Sequence, residues 1–307
     1  MQDKSKNKNS LLVSIVMNCY NGEKYLREAI NSIYVQTYQN WEIIFWDNAS
    51  TDNSANIAKS YDGRIKYYLA PKTTPLGEAR DLALSKVSGG YVAFLDCDDI
   101  WVLDKLSLQV DILEANKPFK MCYSGAIYID ESGEYIKSTL PKSNHGNTLD
   151  LQLRAYEIGM QSVLIRNDIP LYFNKELEFS PDYDLMMRIA SEYSIYVIKD
   201  LLIKYRVVSD SLTNSKADKW WIEMKFTLDG LVDKNPILYQ KHMSAYRFAY
   251  AKVNYNKARW LFMEGNRSEA IKVLSIRKYT SLKYFFLYIL AVSGPYAWNA
   301  AHKIKNK

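Results

Sequence analysis

The sequence predicts an α/β fold, a mostly parallel sheet flanked by helices, with a helical extension after it. Two observations carry this. Over residues 11–130, short apolar runs alternate with segments whose apolar residues recur every three or four positions, the rhythm of strand–helix–strand units that lay down a parallel sheet. Three of the apolar runs also end in polar clusters, at Asn18–Tyr20, Asp47–Asn48 and Asp96–Asp99. In such sheets ligands bind beyond the carboxyl ends of the strands, so the three clusters converge on one rim.

The elements follow in order. "LLVSIVMNCY" (11–20) is a continuous apolar run and reads as a buried strand. "EKYLREAINSIYVQ" (23–36) sets Leu26, Ile30, Ile33 and Tyr34 at helical spacing. "WEIIFWDN" (41–48) is a second strand, and "STDNSANIAKSY" (50–61) opens with capping residues before a helix. "RIKYYLA" (64–70) is a third strand. "GEARDLALSKV" (77–87) is a helix that "SGG" stops, and "YVAFLD" (91–96) is the fourth strand. "LDKLSLQVDILEAN" (103–116) places Leu103, Leu106, Val110 and Leu113 on one helical face, and "KMCYSGAIYID" (120–130) is a fifth strand.

Beyond about residue 130 the pattern loosens. "SVLIRND" (162–168) and "SIYVIKDLLIKYRVV" (194–208) read as strands. Between them "SPDYDLMMRIASEY" (180–193) is a helix, with Ser180 as N-cap and Pro181 at its first position. From about 215 the chain reads as helical, rich in aromatics and lysine, without repeats. The expected organisation is a flexible basic segment 1–10, a ligand-binding α/β half 11–130, a second half 131–214, and a helical region 215–307.

Composition narrows the class. The 307 residues are 48% hydrophobic and 24% charged, which excludes a disordered or low-complexity chain. A net charge of +6, spread along the chain, suits an anionic substrate or lipid headgroups but lacks the dense basic stripe of a nucleic-acid binder. Cys19, Cys97 and Cys122 are odd in number and lack metal spacing, pointing to a reducing compartment. The three histidines are far apart and show no zinc spacing. The polar, basic start gives no signal peptide, and the apolar stretch 284–298 is shorter than a spanning helix and interrupted by Gly294-Pro295. The expectation is a cytoplasmic protein.

The stretch "YVAFLDCDDIW" (91–101) poses the chemical question. Asp96, Asp98 and Asp99 repel one another at the end of a buried strand, and desolvating even one is costly. A hard divalent cation carrying a diphosphate would supply the missing positive charge, held by few carboxylates and by the phosphates themselves. The alternative is that Asp98 or Asp99 caps the following helix and Asp96 is a solvated turn residue.

A resemblance bears on that choice. "VSIVMNCYNGEKYLREAINSIYVQTYQNWEIIFWDNASTDNS" resembles the opening of the family 2 inverting glycosyltransferases, at Tyr20-Asn21, at Gln36-Thr37-Tyr38, and at Asp47 with Ser50-Thr51-Asp52. "LGEARDLALSKVSGGYVAFLDCDDIWVLDKL" is similar to that family's Ala-Arg helix, its Asp-x-Asp signature and the Trp and Lys-Leu after it. The likeness runs from about 13 to 211 and implies the GT-A fold, with a Rossmann-like sheet. It implies that Asp47 accepts a hydrogen bond from the nucleotide base, that the backbone of Asn18, Cys19 and Tyr20 frames that base, and that Asp96 reaches the ribose. Asp98 would bind a divalent metal, Mn²⁺ or Mg²⁺, with Asp99 in support, and Arg80 would pair with the diphosphate. Each has a structural alternative: Asp47 as a helix cap, Arg80 as a surface ion pair, and Trp101 as core packing rather than acceptor contact.

Inverting transfer also needs one general base at the acceptor hydroxyl. "SPDYDLMMRIA" is similar to the family's base segment and implies Asp182 in that role, with Asp184 as fallback; the structural alternative is that Asp182 only complements the helix dipole. Pro181 stands where the family has an acidic residue. In "KYRVVSDSLTNS", Tyr205-Arg206 match the closing loop, with Arg206 placed to clamp the diphosphate, but Val208 stands where a histidine is frequent. The resemblance implies a nucleotide-sugar donor, a UDP-sugar favoured, and a glycan or lipid-linked sugar acceptor. The aromatic and basic helices after 215 suit either peripheral contact with the inner face of the membrane or ordinary packing. Two other classes share some of these features. A non-catalytic nucleotide-sugar binder is compatible with Pro181 and Val208. A sugar-phosphate nucleotidyltransferase is disfavoured by the single Gly in "NCYNGEKYL".

Overall fold

The computed structural model describes residues 11–208 and 220–303. The expected basic segment 1–10, the proposed boundary at 214, and the whole "SDSLTNS" stretch (209–215) lie outside them. The described residues form two compact units: 11–148 with 157–208, and 149–156 with 220–303.

The first unit is built on nine strands in the order β3-β2-β1-β4-β8-β6-β9-β5, with β7 paired to β6. Its first half follows the predicted alternation: β1 (Val13–Cys19), α1 (Glu23–Tyr34), β2 (Trp41–Asp47), α2 (Ser54–Lys59), β3 (Ile65–Leu69), α3 (Leu76–Leu84) and β4 (Tyr91–Phe94). β1 to β4 are mutually parallel and pair without register shifts, so Cys19 lies level with Asp47 and Val16 with Phe94. Apolar runs without alternation make sense here because both faces of these strands are covered. α1 lays Leu26, Ile30 and Ile33, all fully buried, on the face formed by Val13, Ile15, Met17 and Phe45. Each contributes roughly 1.5–3 kcal/mol of burial.

The second half departs from a simple parallel pattern. It comprises β5 (Ile100–Trp101), α4 (Lys105–Ala115), β6 (Met121–Ile129), β7 (Tyr135–Thr139), β8 (Leu164–Arg166), α6 (Pro181–Glu192) and β9 (Ile195–Arg206), while α5 (Leu149–Arg154) belongs to the second unit. β8 runs antiparallel to both β4 and β6, and β9 parallel to β6. The two-residue β5 and the fully exposed β7 were not legible as strands, because neither shows an apolar run. Strand β4 stops at Phe94, two residues short of the reading, and α3 ends at Leu84, before the "SGG" stop.

The Gln-Thr-Tyr segment is structural. The buried Gln36 side chain donates to the carbonyls of Ser32 (3.0 Å) and Val102 (2.8 Å) and accepts from the Leu106 amide (3.0 Å), fastening the end of α1 to the start of α4. Tyr38 Oη donates to the Leu11 carbonyl at 2.6 Å, closing the loop onto β1.

The second unit is helical: α5, α7 (Trp220–Lys234), α8 (Pro236–Lys241), α9 (Met243–Met263), α10 (Arg267–Arg277), a 3₁₀ turn Lys278–Thr280, α11 (Leu282–Ser293) and α12 (Pro295–Lys303). Asn235 and Asn266 cap α8 and α10 through their side chains. The centre is Ala258, Leu261, Ala270, Val273, Leu274, Ala291 and Trp298. Among the described residues no helix is long and apolar enough to cross a membrane.

One close approach in the first unit decides where α6 starts. The Gly77 amide donates to the Leu177 carbonyl at 3.0 Å, and Asp81 Oδ1 accepts from the Phe173 amide at 3.1 Å, so α3 holds the segment 173–177 that leads into α6. A Cβ at position 77 would stand 2.2 Å from the Asn174 carbonyl oxygen and 2.6 Å from that of Leu177. Both obstacles are backbone, so the segment itself must move. Gly77→Ala is expected to destabilise the chain by about 1–3 kcal/mol, read as a lowered thermal midpoint. An unchanged midpoint would mean that this segment yields freely.

Candidate active site

The carboxyl ends of β1, β2 and β4 meet as the sequence implies. At the end of β2, Asp47 is fully buried (0% exposed). Its Oδ1 accepts from the Ser50 amide at 2.8 Å and its Oδ2 from Tyr67 Oη at 2.6 Å. It does not cap α2, which begins seven residues later with Asn53 at its N-cap. The loop after β1 is tied to the loop after β2 by reciprocal bonds. The Asn21 amide donates to Ser50 Oγ (3.1 Å), the Thr51 amide to Asn21 Oδ1 (2.8 Å), and the Glu23 amide to Asp52 Oδ2 (2.9 Å). Asn21 and Ala49 take left-handed backbone angles, with φ of 53° and 62°. Tyr20 is exposed at this rim and Cys19 buried beneath it. Asn18 Nδ2 and Trp46 Nε1, level with each other in the β1–β2 register, are buried donors without a protein acceptor.

Arg80, on α3, is the hub. Its guanidinium is buried, with Nη2 3.0 Å from Asp96 Oδ1 and Nη1 3.8 Å from Asp182 Oδ1. Asp96 follows β4 and Asp182 opens α6, so one cation joins residues that stand 86 positions apart in the chain. The aromatic ring of Phe173 lies 6.0 Å from the guanidinium carbon and 5.7 Å from the ring of Phe94, walling one side. Burial raises the Asp182 carboxyl above the ordinary range, the Arg80 charge opposes that, and the Asp96 charge adds to it. About a third of the Asp182 side chain (32%) still reaches solvent.

The other two aspartates of the cluster diverge. Neither caps a helix, since α4 begins at Lys105 with Asp104 at its N-cap. Asp98 faces the rim, and burial together with the Asp96 charge pushes its carboxyl up to about 6. Asp99 turns inward: its Oδ1 accepts from the Arg206 amide at 2.8 Å and its Oδ2 from Gln161 Nε2. Burial raises its carboxyl well above the usual range, with Asp98 and Asp96 adding to the effect.

Four sequence-derived candidates are engaged differently from expectation. The Arg206 side chain is 2% exposed; Nε donates to the Asp98 carbonyl (2.9 Å), Nη2 pairs with Glu28 (2.6 Å), and the guanidinium lies 4.4 Å from the Tyr25 ring. A guanidinium so enclosed braces the Asp98–Asp99 turn instead of pointing outward to clamp phosphates. Trp101 is core packing here, with Nε1 donating to the Gln161 carbonyl at 3.1 Å and Lys105 Nζ 4.0 Å over its ring. Asp184 is buried and pairs with Arg188 at 2.9 Å, one turn along α6. Asp99, expected beside the metal, has both oxygens in internal hydrogen bonds.

Several residues of this assembly had no signal in the sequence. Gln161 sits in the 3₁₀ turn Met160–Ser162, held through Lys105, Gln109 and the Ser162 carbonyl. Tyr67 and Glu28 each belong to elements whose apolar residues set the pattern, and Phe173 lies in an irregular segment. Only Tyr205, adjacent to Arg206, was flagged; burial and then the three aspartates push its phenol up.

The residues fit a divalent cation in one arrangement. Among the described residues no group of three or more His, Cys, Asp or Glu side chains is placed to hold an ion. Asp98 beside Asp96 offers few oxygens and a carboxylate that gains from a nearby positive charge, which is how an ion held jointly by protein and phosphates is bound.

The raised Asp98 carboxyl carries a stability consequence. Its folded value of about 6 lies above the ordinary 3.8, so the folded chain binds more protons between those limits and loses stability as pH rises through them. Without divalent metal, Asp98→Asn is therefore expected to stabilise the chain at neutral pH by up to about 3 kcal/mol. The gain should fade as pH falls to about 4, as thermal unfolding in EDTA across pH would record.

Comparison with known proteins bears on the family and the fold. Residues 14–169, just over half of the chain, match the sequence profile of Glycosyl transferase family 2. The chain is 31% identical over 231 residues to the Escherichia coli UDP-Glc:alpha-D-GlcNAc-diphosphoundecaprenol beta-1,3-glucosyltransferase WfgD, covering 74% of this chain and 88% of that one. It is 28% identical to the putative teichuronic acid biosynthesis glycosyltransferase TuaG of Bacillus subtilis, over 68% and 86% of the two chains. Among solved structures it superposes on S. aureus TarS 1–349 in complex with UDP-GlcNAc, with TM-score 0.60, 18% identity and coverage of 85% and 88%. It also superposes on the Pyrobaculum calidifontis mannosyltransferase PcManGT in complex with GDP-Man and Mn²⁺, with TM-score 0.58, 14% identity and coverage of 96% and 88%. At those identities the structural likeness concerns the fold, which is that of the GT-A glycosyltransferases. With the family profile over half its length and its Asp-x-Asp strand end at the rim of that fold, the chain belongs to glycosyl transferase family 2.

Proposed function

We propose that this chain is an inverting, metal-dependent transferase that moves one sugar from a nucleotide-sugar donor to an acceptor hydroxyl in polysaccharide or glycoconjugate assembly. The observation that carries this reading is the Arg80 bridge, which sets the Asp-x-Asp turn and the start of α6 at one site. A UDP-sugar is the favoured donor, because WfgD is named for UDP-Glc and the TarS structure holds UDP-GlcNAc. The acceptor is a glycan or a lipid-linked sugar, the latter supported by the diphosphoundecaprenol acceptor in the WfgD name. A lipid-linked acceptor would favour a cytoplasmic site in peripheral contact with the inner face of the membrane.

We assign the roles as follows. Asp47 is closed off, with its oxygens taken by Ser50 and Tyr67, so it accepts a hydrogen bond from the base only once that loop yields, while the Asn18–Tyr20 backbone frames the base. Asp96 reaches the ribose. Asp98 would hold a divalent ion, which would supply positive charge against the diphosphate; the diphosphate leaves with the bonding electron pair. Asp99 and Arg206 act as positioning residues, the one anchoring the turn to Gln161 and the other to Glu28. Arg80 keeps Asp182 ionised against its burial, so the carboxylate can take the proton of the acceptor hydroxyl as that oxygen attacks the anomeric carbon. Asp184, paired with Arg188, orients α6, and Trp101 supports the acceptor side from the core.

Calorimetry with UDP-, GDP- and dTDP-sugars, in Mn²⁺ and in EDTA, tests the donor and metal assignments. One donor should bind in Mn²⁺ only, and Asp98→Ala should abolish that binding. Asp182→Asn should keep donor affinity within about threefold and lower turnover by about a thousandfold. Binding indifferent to metal and to Asp98 would remove the metal from the reading. Undiminished turnover in Asp182→Asn would remove the base.

A further inference from the structure

The helical unit exposes an apolar face that its own packing leaves uncovered. α11 buries Tyr284 and Ala291 and packs Leu287, Tyr288 and Leu290 against the unit's core. Its opposite side presents Leu282 (77% exposed), Phe285, Phe286 (60%), Ile289 and Val292, spaced as one helical stripe. The 3₁₀ turn before it adds Tyr279 (81%), stacked on Phe285 with centroids 6.3 Å apart, and Ile276 at the end of α10 is also exposed. A surface helix turns polar residues outward; this one is apolar on both sides. α9, equally rich in aromatics in sequence, instead buries Tyr246, Ala249, Val253 and Leu261.

Charge identifies the occupant. No Asp or Glu occurs after Glu269, whereas Lys272, Arg277, Lys278 and Lys283 all lie between that residue and the middle of α11. Lys278 Nζ stands 5.1 Å from the Tyr279 ring and 4.6 Å from that of Tyr288, and Lys283 Nζ 5.7 Å from that of Tyr284, so cations flank the stripe. Self-pairing through this face would bring like charges together, whereas anionic headgroups would neutralise them. We infer that α11, with Tyr279, is the face by which the chain sits on an anionic lipid bilayer, its stripe entering the headgroup–acyl boundary with Lys278 and Lys283 at phosphate level. This deepens the membrane contact of the proposed function but draws its evidence from the helical unit alone.

The test is co-sedimentation of the full chain with vesicles of phosphatidylcholine alone or mixed with phosphatidylglycerol. Wild type should bind the mixed vesicles at least tenfold more tightly, and added salt should weaken that binding. Phe286→Glu with Ile289→Glu should lower binding by about tenfold or more, and Lys278→Gln with Lys283→Gln should erase most of the preference for anionic lipid. Phe286, Ile289 and Lys283 are exposed and Lys278 is half-buried, none of them in the unit's core, so circular dichroism and calorimetric donor binding should match wild type in both variants; absent donor binding in the wild type would fault the transferase reading and leave this one standing. No binding to phosphatidylglycerol vesicles, or binding that ignores the substitutions, overturns the inference. So does self-association in sedimentation velocity that the Glu pair abolishes while vesicle binding is absent, since the stripe would then join two copies of the chain.

Discussion

The site depends on a single cation shared by two carboxylates. Arg80 reaches Asp96 and Asp182 from the one helix that packs both against the parallel strands and against the segment feeding α6. Its burial would be costly without anionic partners, and the two aspartates would repel without it. Each therefore makes the others tolerable, and the price is geometric: α3 and α6 must keep their spacing. The Gly77 approach to the Asn174 and Leu177 carbonyls fixes that spacing in backbone rather than in side chains.

The Asp96–Asp99 turn shows how the chain places several carboxylates in four positions. Asp96 and Asp98 both remain at the rim, partly exposed. Asp96 is balanced by Arg80, and Asp99 is absorbed into the interior, where the Arg206 amide and Gln161 satisfy it. Arg206 then answers the remaining repulsion indirectly, through the Asp98 carbonyl and Glu28. Buried polar groups hold their position when every member has a partner, and this network has that property across β9, α1 and the 3₁₀ turn. The buried Lys105, pushed down to about 7 by its surroundings, extends it to Gln109 and Trp101.

Much of this was legible because it is local. Apolar runs of strand length ending in Asp47 or in "DCDD" specify both a parallel sheet and its ligand-binding edge, and "SPDYDL" announces a helix that starts with a carboxylate. What was not legible depends on contacts between distant segments. Asp98 and Asp99 are adjacent and chemically identical, yet one faces out and the other in, because the β5 pairing with β9 at Ile100↔Lys204 turns the chain between them and the helix. Arg206 reads as a free cation until Glu28, which lies 178 positions earlier, is seen beside it. β7 lacks any apolar pattern since all five of its residues are exposed; its backbone pairs with β6, and Lys137 lies over the Tyr128 ring.

The rim also carries strain where a flexible turn would have been expected. Asn21 and Ala49 both adopt left-handed angles without being glycine, a conformation that costs alanine roughly 1–2 kcal/mol. The compensation is visible on either side of them. Asn21 Oδ1 accepts from the Thr51 amide, Ser50 Oγ accepts from the Asn21 amide, and Asp47 Oδ1 accepts from the Ser50 amide. These bonds cross between the ends of β1 and β2, so the two loops form one rigid lip. Glycine at Ala49 would relieve that strain at the smaller cost, about 0.4–1 kcal/mol, of a looser unfolded chain. A lip held in one conformation keeps the Asn18–Tyr20 backbone and the buried Asp47 carboxylate at fixed separation across two adjacent strand ends.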